Sequence, residues 1–392
     1  MDKPYYPHQA IASIEVLAKT LGIHPGMLER ISNNVDNSYT EFVVPSKNKE
    51  RTVYEPKYEL KKLQKRINKR IFENVDYPLY LHGGIKDPIN KRDYVENAKA
   101  HSINKTKTLI SLDIKSFYDN IASDKVFAIY KYLFKFPDNV CNLLTTLTTF
   151  KNKVPQGACT SSYIANLVFF NSEYSLVSGF RNKGITYTRL LDDVTLSSEN
   201  ILPQIIIDQS VKRVIGLFKK HDLKQNDGKT KVELYRHSSG GFEVTGLWIG
   251  KNKPQARRSN RRYIRLMVYI CEREYEKSPY TEEYHTIWNK VSGLVAKLHR
   301  LDQSNHKALR ERLQKILPLY DDRAKAKIIH DCKSLLRLDN SKQYSFGQIE
   351  RINKNYSRLS ILSRNNNGLS TSWRRRLKKH FANLPSKKEF WT

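Results

Sequence analysis

Two aspartates stand side by side, Asp192 and Asp193, in the otherwise apolar and β-branched run YTRLLDDVTLSS. Asp is depleted in strands because its carboxylate draws the local backbone toward turns. The flanking Leu190, Leu191, Val194 and Leu196 therefore read as a hairpin with the pair at its bend. Two carboxylates on one bend repel unless a cation or another partner neutralises them; alone, the pair also reads as a solvated turn. A third carboxylate, Asp113, ends the apolar run TLISLDI, where it could equally cap the segment that follows. In VPQGACTSSYIAN, Pro155, Gln156 and Gly157 precede a helical run and bring polar backbone near a ligand, or form an ordinary loop-to-helix turn. Together the three blocks hold the polar set that phosphoryl chemistry on nucleotides needs. Mg²⁺ is a hard ion held by carboxylates and substrate phosphates. Two such ions can activate an attacking hydroxyl and stabilise leaving pyrophosphate in an in-line displacement.

These residues need elements to place them. TLISLDI (108–114) reads as a buried strand running into a helical KSFYDNI, and 160–178 as a helix with Ser161, Ser162 and Ala165 small enough for close packing. Helical spacing also marks 8–21, 57–74 and 204–221; Leu60, Leu63, Ile67 and Ile71 share one face of the second. YTEFVVP and RTVYEP form a hairpin around the polar SKNKE, and GFEVTGLWI (241–249) reads as a strand. A boundary falls near 250–256, at GKNKPQA, beyond which the chain is basic and helical.

The 392 residues carry a formal net charge of +30, and 251–392 contribute 33 Lys/Arg against 13 Asp/Glu. A field of that size favours a polyanionic partner, and the 23 tyrosines suit base stacking beside phosphate contacts, although many belong to the core. The four cysteines, Cys141, Cys159, Cys271 and Cys332, have neither disulfide-framework nor zinc spacing. No apolar run approaches a membrane span and MDKPYYPHQA lacks a signal-peptide core, so the cytoplasm is the expected compartment.

In order and spacing the blocks from about 40 to 250 resemble the fingers and palm of reverse transcriptases. YTEFVVPSKNKERTVYEPKYELKKLQKRI resembles the fingers hairpin and helix, LDIKSFYDNI the motif with the first catalytic Asp, VPQGACTSSYIAN the PQGxxxS block, LLDDVTLSS the aromatic-x-Asp-Asp motif and NDGKTKVEL the following lysine block. NAKAH (Asn97 to His101) and VTG (Val244 to Gly246) further resemble the NAxxH and VTG signatures of retron reverse transcriptases.

The resemblance implies an α+β right-hand polymerase, with an N-terminal helix and fingers over 1–107, an antiparallel palm with interleaved fingers elements over 108–250, and a basic helical thumb and RNA-binding region over 251–392. It implies that Asp113, Asp192 and Asp193, with the Ile114 carbonyl, hold two Mg²⁺ ions. Arg51 and Lys47 or Lys49 would meet the triphosphate of a dNTP. Tyr118 would exclude a ribonucleotide 2′-hydroxyl, Gln156 and Gly157 would line the sugar pocket, and Lys229 would support the palm or lie on the surface. Asn97, His101, Val244, Thr245, Gly246, Arg257, Arg258, Arg261, Arg262 and Arg265 would contact nucleic acid. The last five concentrate charge suited to a duplex backbone, while WRRRLKKH either contacts RNA or is a solvated tail. One departure is Leu190, where the family carries an aromatic that packs near the primer end.

The activity implied is copying part of a structured non-coding RNA into single-stranded DNA covalently linked to that RNA, in antiphage defence with a separate effector protein. Alternatives are another bacterial reverse transcriptase (group II-like, diversity-generating or abortive-infection type) and a non-catalytic RNA-binding scaffold. NAKAH and VTG count against the first, and three intact aspartates against the second.

Overall fold

Tyr39–Ser46 (β1) and Lys49–Pro56 (β2) pair as an antiparallel ribbon in which Val44 opposes Arg51. The computed structural model describes residues 2–46, 49–102, 106–235, 241–249, 252–339 and 343–391, so Lys47 lies outside the described residues. The chain divides into two compact units, Met1–Pro254 and Gln255–Thr392.

The first unit is built on a five-stranded sheet. In chain order its strands are β3 (Leu81–His82), β4 (Thr108–Asp113), β5 (Ile185–Leu190), β6 (Asp193–Ser198) and β7 (Lys231–Leu234), arranged β3-β5-β6-β4-β7. All pairings are antiparallel except β3 on β5. Its helices are α1 (Ile14–Leu21), α2 (Pro25–Asn33), α3 (Tyr58–Arg70), α4 (Tyr94–Ala100), α5 (Ser123–Ala128), α6 (Asp138–Thr148), α7 (Ser161–Leu167), α8 (Glu173–Arg181) and α9 (Gln204–Lys220). One apolar core joins ribbon, sheet and helices; Leu60, Leu63, Ile67 and Ile71 are all buried in it. Burying each such side chain contributes about 1.5–3 kcal/mol.

Local chemistry explains where elements depart from the periodicity. The helix expected over 8–21 begins at Ile14, because the Ser13 hydroxyl caps it by accepting from the Val16 amide. KSFYDNI is a turn with a short 3₁₀ segment, since Ser116 adopts φ 48°. The run 160–178 splits into α7 and α8, and Glu173 opens the second helix facing inward. GFEVTGLWI is a hairpin of β8 (Glu243–Val244) and β9 (Leu247–Trp248), not one strand. Thr245 and Gly246 at its bend have φ 49° and 79°, the two positive values a tight two-residue hairpin requires.

The second unit is helical throughout its described residues: α10 (Arg258–Lys277), α11 (Glu282–Arg300), α12 (His306–Lys315), α13 (Asp322–Leu335), α14 (Phe346–Leu362), α15 (Asn367–His380) and α16 (Lys387–Trp391). Ile328, Cys332, Ile352, Leu359, Trp373 and Leu377 form the core of its C-terminal half. Among the described residues no helix is long and apolar enough to cross a membrane.

Candidate active site

Asp113 is the last residue of β4 and Asp193 the first of β6, and the register sets them opposite one another. Asp192 precedes in the bend, and its carbonyl accepts from the Ile114 amide at 3.0 Å. Leu191 makes the bend possible by taking φ 56°, a left-handed conformation costly for a side chain with a Cβ. The register of β4 on β6, with Asp192 in the bend, thus brings three carboxylates to one end of the sheet.

Their electrostatics follow from that crowding. Loss of water around its carboxyl, then the charges of Asp192 and Asp113, push Asp193 up to about 7. Asp192 is also raised, by burial first, while Lys229 and Arg51 pull it down. Asp113 is buried and spoken for: Lys229 Nζ donates to Oδ2 at 2.7 Å, and Asn226 donates from Nδ2 to Oδ1 at 2.7 Å. The Asn226 amide also donates to the Asp113 carbonyl at 2.8 Å. Lys229 is accordingly raised, chiefly by its own hydrogen bond to the Asp113 carboxylate.

The donor set fits a hard divalent cation, being oxygen throughout and carrying more negative charge than Lys229 neutralises. Among the described residues no three His, Cys, Asp or Glu side chains already stand together as a ready ligand cluster. Lys229 covers Asp113 Oδ2 instead. Asp113, Asp192 and Asp193 are the residues here that could hold such a cation.

Of the other expected residues, Tyr118 and Arg51 lie near this end. Tyr118 is half-buried, and burial together with the Asp192 charge pushes its phenol up to about 12. Arg51 is exposed on β2, and its charge is felt at Asp192. The Gln156 carbonyl accepts from the Tyr54 amide at 2.7 Å, joining the PQG segment to β2. Gly157 has φ 107°, and a Cβ there would lie 2.4 Å from Val53 Cγ1, so only glycine fits. Leu190 and Leu191 pack over Gly83, which has φ 78°. With Tyr94, Arg92 and Lys86 they line a cleft of about 670 Å³ beside the bend.

The retron-like signatures are placed differently from expectation. Asn97 on α4 is fully buried, with no partner for its amide among the described residues. His101 is 1% exposed and bridges Ser197 Oγ and Thr188 Oγ1, each at 2.7 Å. Burial pulls its pKa down to about 3, leaving it neutral. Val244 is buried as well, and Thr245 donates its hydroxyl to the Tyr94 carbonyl at 2.9 Å. Asn97, His101 and Val244, expected to touch nucleic acid, are thus all buried; His101 links the end of α4 to β5 and β6, and Thr245 links α4 to the β8–β9 hairpin. Gly246 is exposed at the bend.

In the second unit Arg257 precedes α10; Arg258, Arg262 and Arg265 are exposed on it and Arg261 is half-buried. Asn226 and Arg189 were missed by sequence reasoning. Asn226 lies inside the NDGKTKVEL block, which pointed to Lys229 and not to it; Arg189 reads in sequence as any polar residue in a strand.

Residues 43–264 match the model of the family described as reverse transcriptase (RNA-dependent DNA polymerase). The chain is 41% identical to the retron Se72 reverse transcriptase of Salmonella heidelberg (strain 579083-10) over 379 residues, 96% of this chain and 98% of the relative. It is 33% identical to the retron Ec48 reverse transcriptase of Escherichia coli over 347 residues, 85% and 83% of the two chains. Identity to the retron Ec86 reverse transcriptase of Escherichia coli is 25% over 316 residues, 78% and 89% of the two.

Proposed function

The chain belongs to the reverse transcriptase family and, within it, to the retron reverse transcriptases; proceeding from an RNA-directed DNA polymerase, we propose that Asp113, Asp192 and Asp193 carry its nucleotidyl transfer. The observation that carries this reading is the register of β4 and β6, which sets Asp113 opposite Asp193 with Asp192 adjacent. Mg²⁺, two ions when bound, supplies activation of the attacking hydroxyl and stabilisation of the leaving pyrophosphate. Asp192 and Asp193 keep a site that binds cations through like-charge crowding. Lys229 and Asn226 hold the Asp113 carboxylate in place, and Lys229 yields its oxygen on loading. Arg51, with Lys47 or Lys49, forks onto triphosphate oxygens. Tyr118 walls the sugar of a dNTP, Gln156 and Gly157 complete that pocket, and Leu190 sets the packing beside the primer end.

In this reading the β1–β2 ribbon and α3 act as fingers, the five-stranded sheet as palm, and the second unit as a thumb. The thumb's exposed arginines hold a template–primer duplex and the structured RNA by backbone and shape. The product is single-stranded DNA covalently linked to the non-coding RNA that templated it. The complex acts in antiphage defence with a separate effector protein, in the cytoplasm. The retron relatives support the RNA partner and the product; the paired carboxylates support the chemistry.

Expressing the chain with its flanking non-coding DNA and running extracted nucleic acid on a denaturing gel tests this. A discrete single-stranded DNA that shortens on RNase treatment, and is absent with Asp192→Asn, is the expected result. Absence of that DNA from a strain making folded protein and the RNA would reject the product assignment.

A further inference from the structure

Arg189 lies on β5 four residues before Asp193 and is fully buried. Its Nε and Nη2 donate to the two carboxylate oxygens of Glu173 at 2.6 and 2.9 Å. Tyr187 donates its hydroxyl to the same carboxylate at 2.7 Å. The remaining donors go to backbone: Nη2 to the Asn166 carbonyl at 2.9 Å, and Nη1 to the carbonyls of Ala165 at 3.2 Å and Leu191 at 3.0 Å. One side chain thereby ties the end of α7, the start of α8 and the bend that carries the aspartates.

That bend needs holding, since Leu191 sits at φ 56°, a conformation that persists only where the surroundings impose it. Arg189 fastens the Leu191 carbonyl, while the Ile114 amide on the β4 side fastens the Asp192 carbonyl. Stability alone does not call for such a residue. A buried ion pair roughly breaks even against well-packed apolar side chains of similar volume. What apolar side chains cannot supply is a rigid planar fork with donors for three carbonyls and a carboxylate.

We propose that Arg189 is a positioning residue for nucleotidyl transfer, fixing the Leu191–Asp192 backbone and through it the carboxylates of Asp192 and Asp193. The proposal rests on the reading of those aspartates as catalytic. Lysine in its place keeps the charge but cannot serve these acceptors together.

The test uses the full chain, with hydrogen exchange beside extension kinetics on a primed RNA template. Two variants are compared with the wild type: Arg189→Lys, and the triple Tyr187→Phe/Glu173→Leu/Arg189→Met, which removes both charges and the orphaned hydroxyl. Expected for both is a kcat about tenfold to a hundredfold lower, with the dNTP KM within about twofold. Exchange should rise at residues 190–193 and at the Ile114 amide, while the ladder amides of Leu112 and Val194 keep their protection. A folded triple variant with wild-type kcat and bend protection would overturn the proposal. So would exchange rising evenly over β4, β5 and β6, or a triple variant that does not fold, since either makes the cluster a requirement of the fold itself. Asp192→Asn run alongside separates the premise: if it extends as well as the wild type, the catalytic reading fails, and bend exchange in the variants still decides whether Arg189 holds the bend.

Discussion

Asp193 and Asp113 differ in how their charge is managed. Asp113 has two dedicated donors, whereas Asp193 is pushed up to about 7 by lost hydration and by its neighbours. A folded-state pKa above the unfolded value means that the native state holds the extra proton between the two, so stability falls as pH rises through that window. In the absence of divalent cation Asp193 therefore lowers the slope of melting temperature against pH between about pH 4 and pH 7, where the buried His82, His101 and His221, held below the usual histidine range, raise it, and Asp193→Asn should make that slope more positive. At pH 8 with chelator the variant should melt higher than the wild type; thermal unfolding across pH with and without Mg²⁺ checks both. An unchanged slope would mean that the carboxyls are not crowded in solution. Asn226→Ala leaves one Asp113 oxygen without its donor, and loss of a hydrogen bond to a charged group is worth about 1.5–3 kcal/mol. Its kcat should drop about tenfold or more with unaltered RNA affinity. The three aspartates were legible in sequence because Asp in an apolar, β-branched run demands a reason. Asn226 and Arg189 were not, because their meaning resides in partners 113 and 16 residues away.

At the scale of elements, two contacts set the site's frame. The PQG segment meets β2 through the Tyr54–Gln156 hydrogen bond and the bare Cα of Gly157. Gly157→Ala meets both a clash with Val53 and an unfavourable φ, and overpacking of this kind costs about 1–3 kcal/mol. Melting about 2–4 °C lower per kcal/mol, with a raised dNTP KM, is the expected result. Adding Val53→Ala should recover the steric part and leave the φ cost. The other contact joins α4 to the β8–β9 hairpin through Thr245 and Tyr94. Hairpins and strands were legible from alternation, since period two places every other side chain inward. What periodicity could not give is that VTG meets the helix that carries NAxxH, nor that His101 points into the sheet. Motif identity carries no information on burial, so the sequence did not show that Asn97, His101 and Val244 are buried.

Across the whole molecule the charge is divided as unevenly as the structure. The boundary expected near 250–256 lies beside the division between Met1–Pro254 and Gln255–Thr392, and the second unit carries most of the positive excess. Exposed arginines on α10 that neutralise phosphates release counterions on binding, so affinity falls linearly with salt on a double-logarithmic plot. Arg258→Gln/Arg262→Gln/Arg265→Gln should reduce that slope by about 2–3 and weaken binding similarly for unrelated sequences. An unaltered slope would move the duplex contact elsewhere. Composition made this partner class legible, because net charge is additive along the chain; which residues of the basic helices face the nucleic acid depends on packing that charge does not report.

The central claim is that the carboxylates brought together by β4 and β6 perform RNA-templated DNA synthesis. The most direct measurement is single-turnover extension of a DNA primer on an RNA template by the purified full chain with dNTPs and Mg²⁺, comparing the wild type with Asp113→Asn, Asp192→Asn and Asp193→Asn. Extension by the wild type, lost in all three variants while their RNA affinity and melting remain near wild type, is the result predicted. Extension that survives in a folded Asp192→Asn or Asp193→Asn variant would contradict the claim and place the chemistry elsewhere in the molecule.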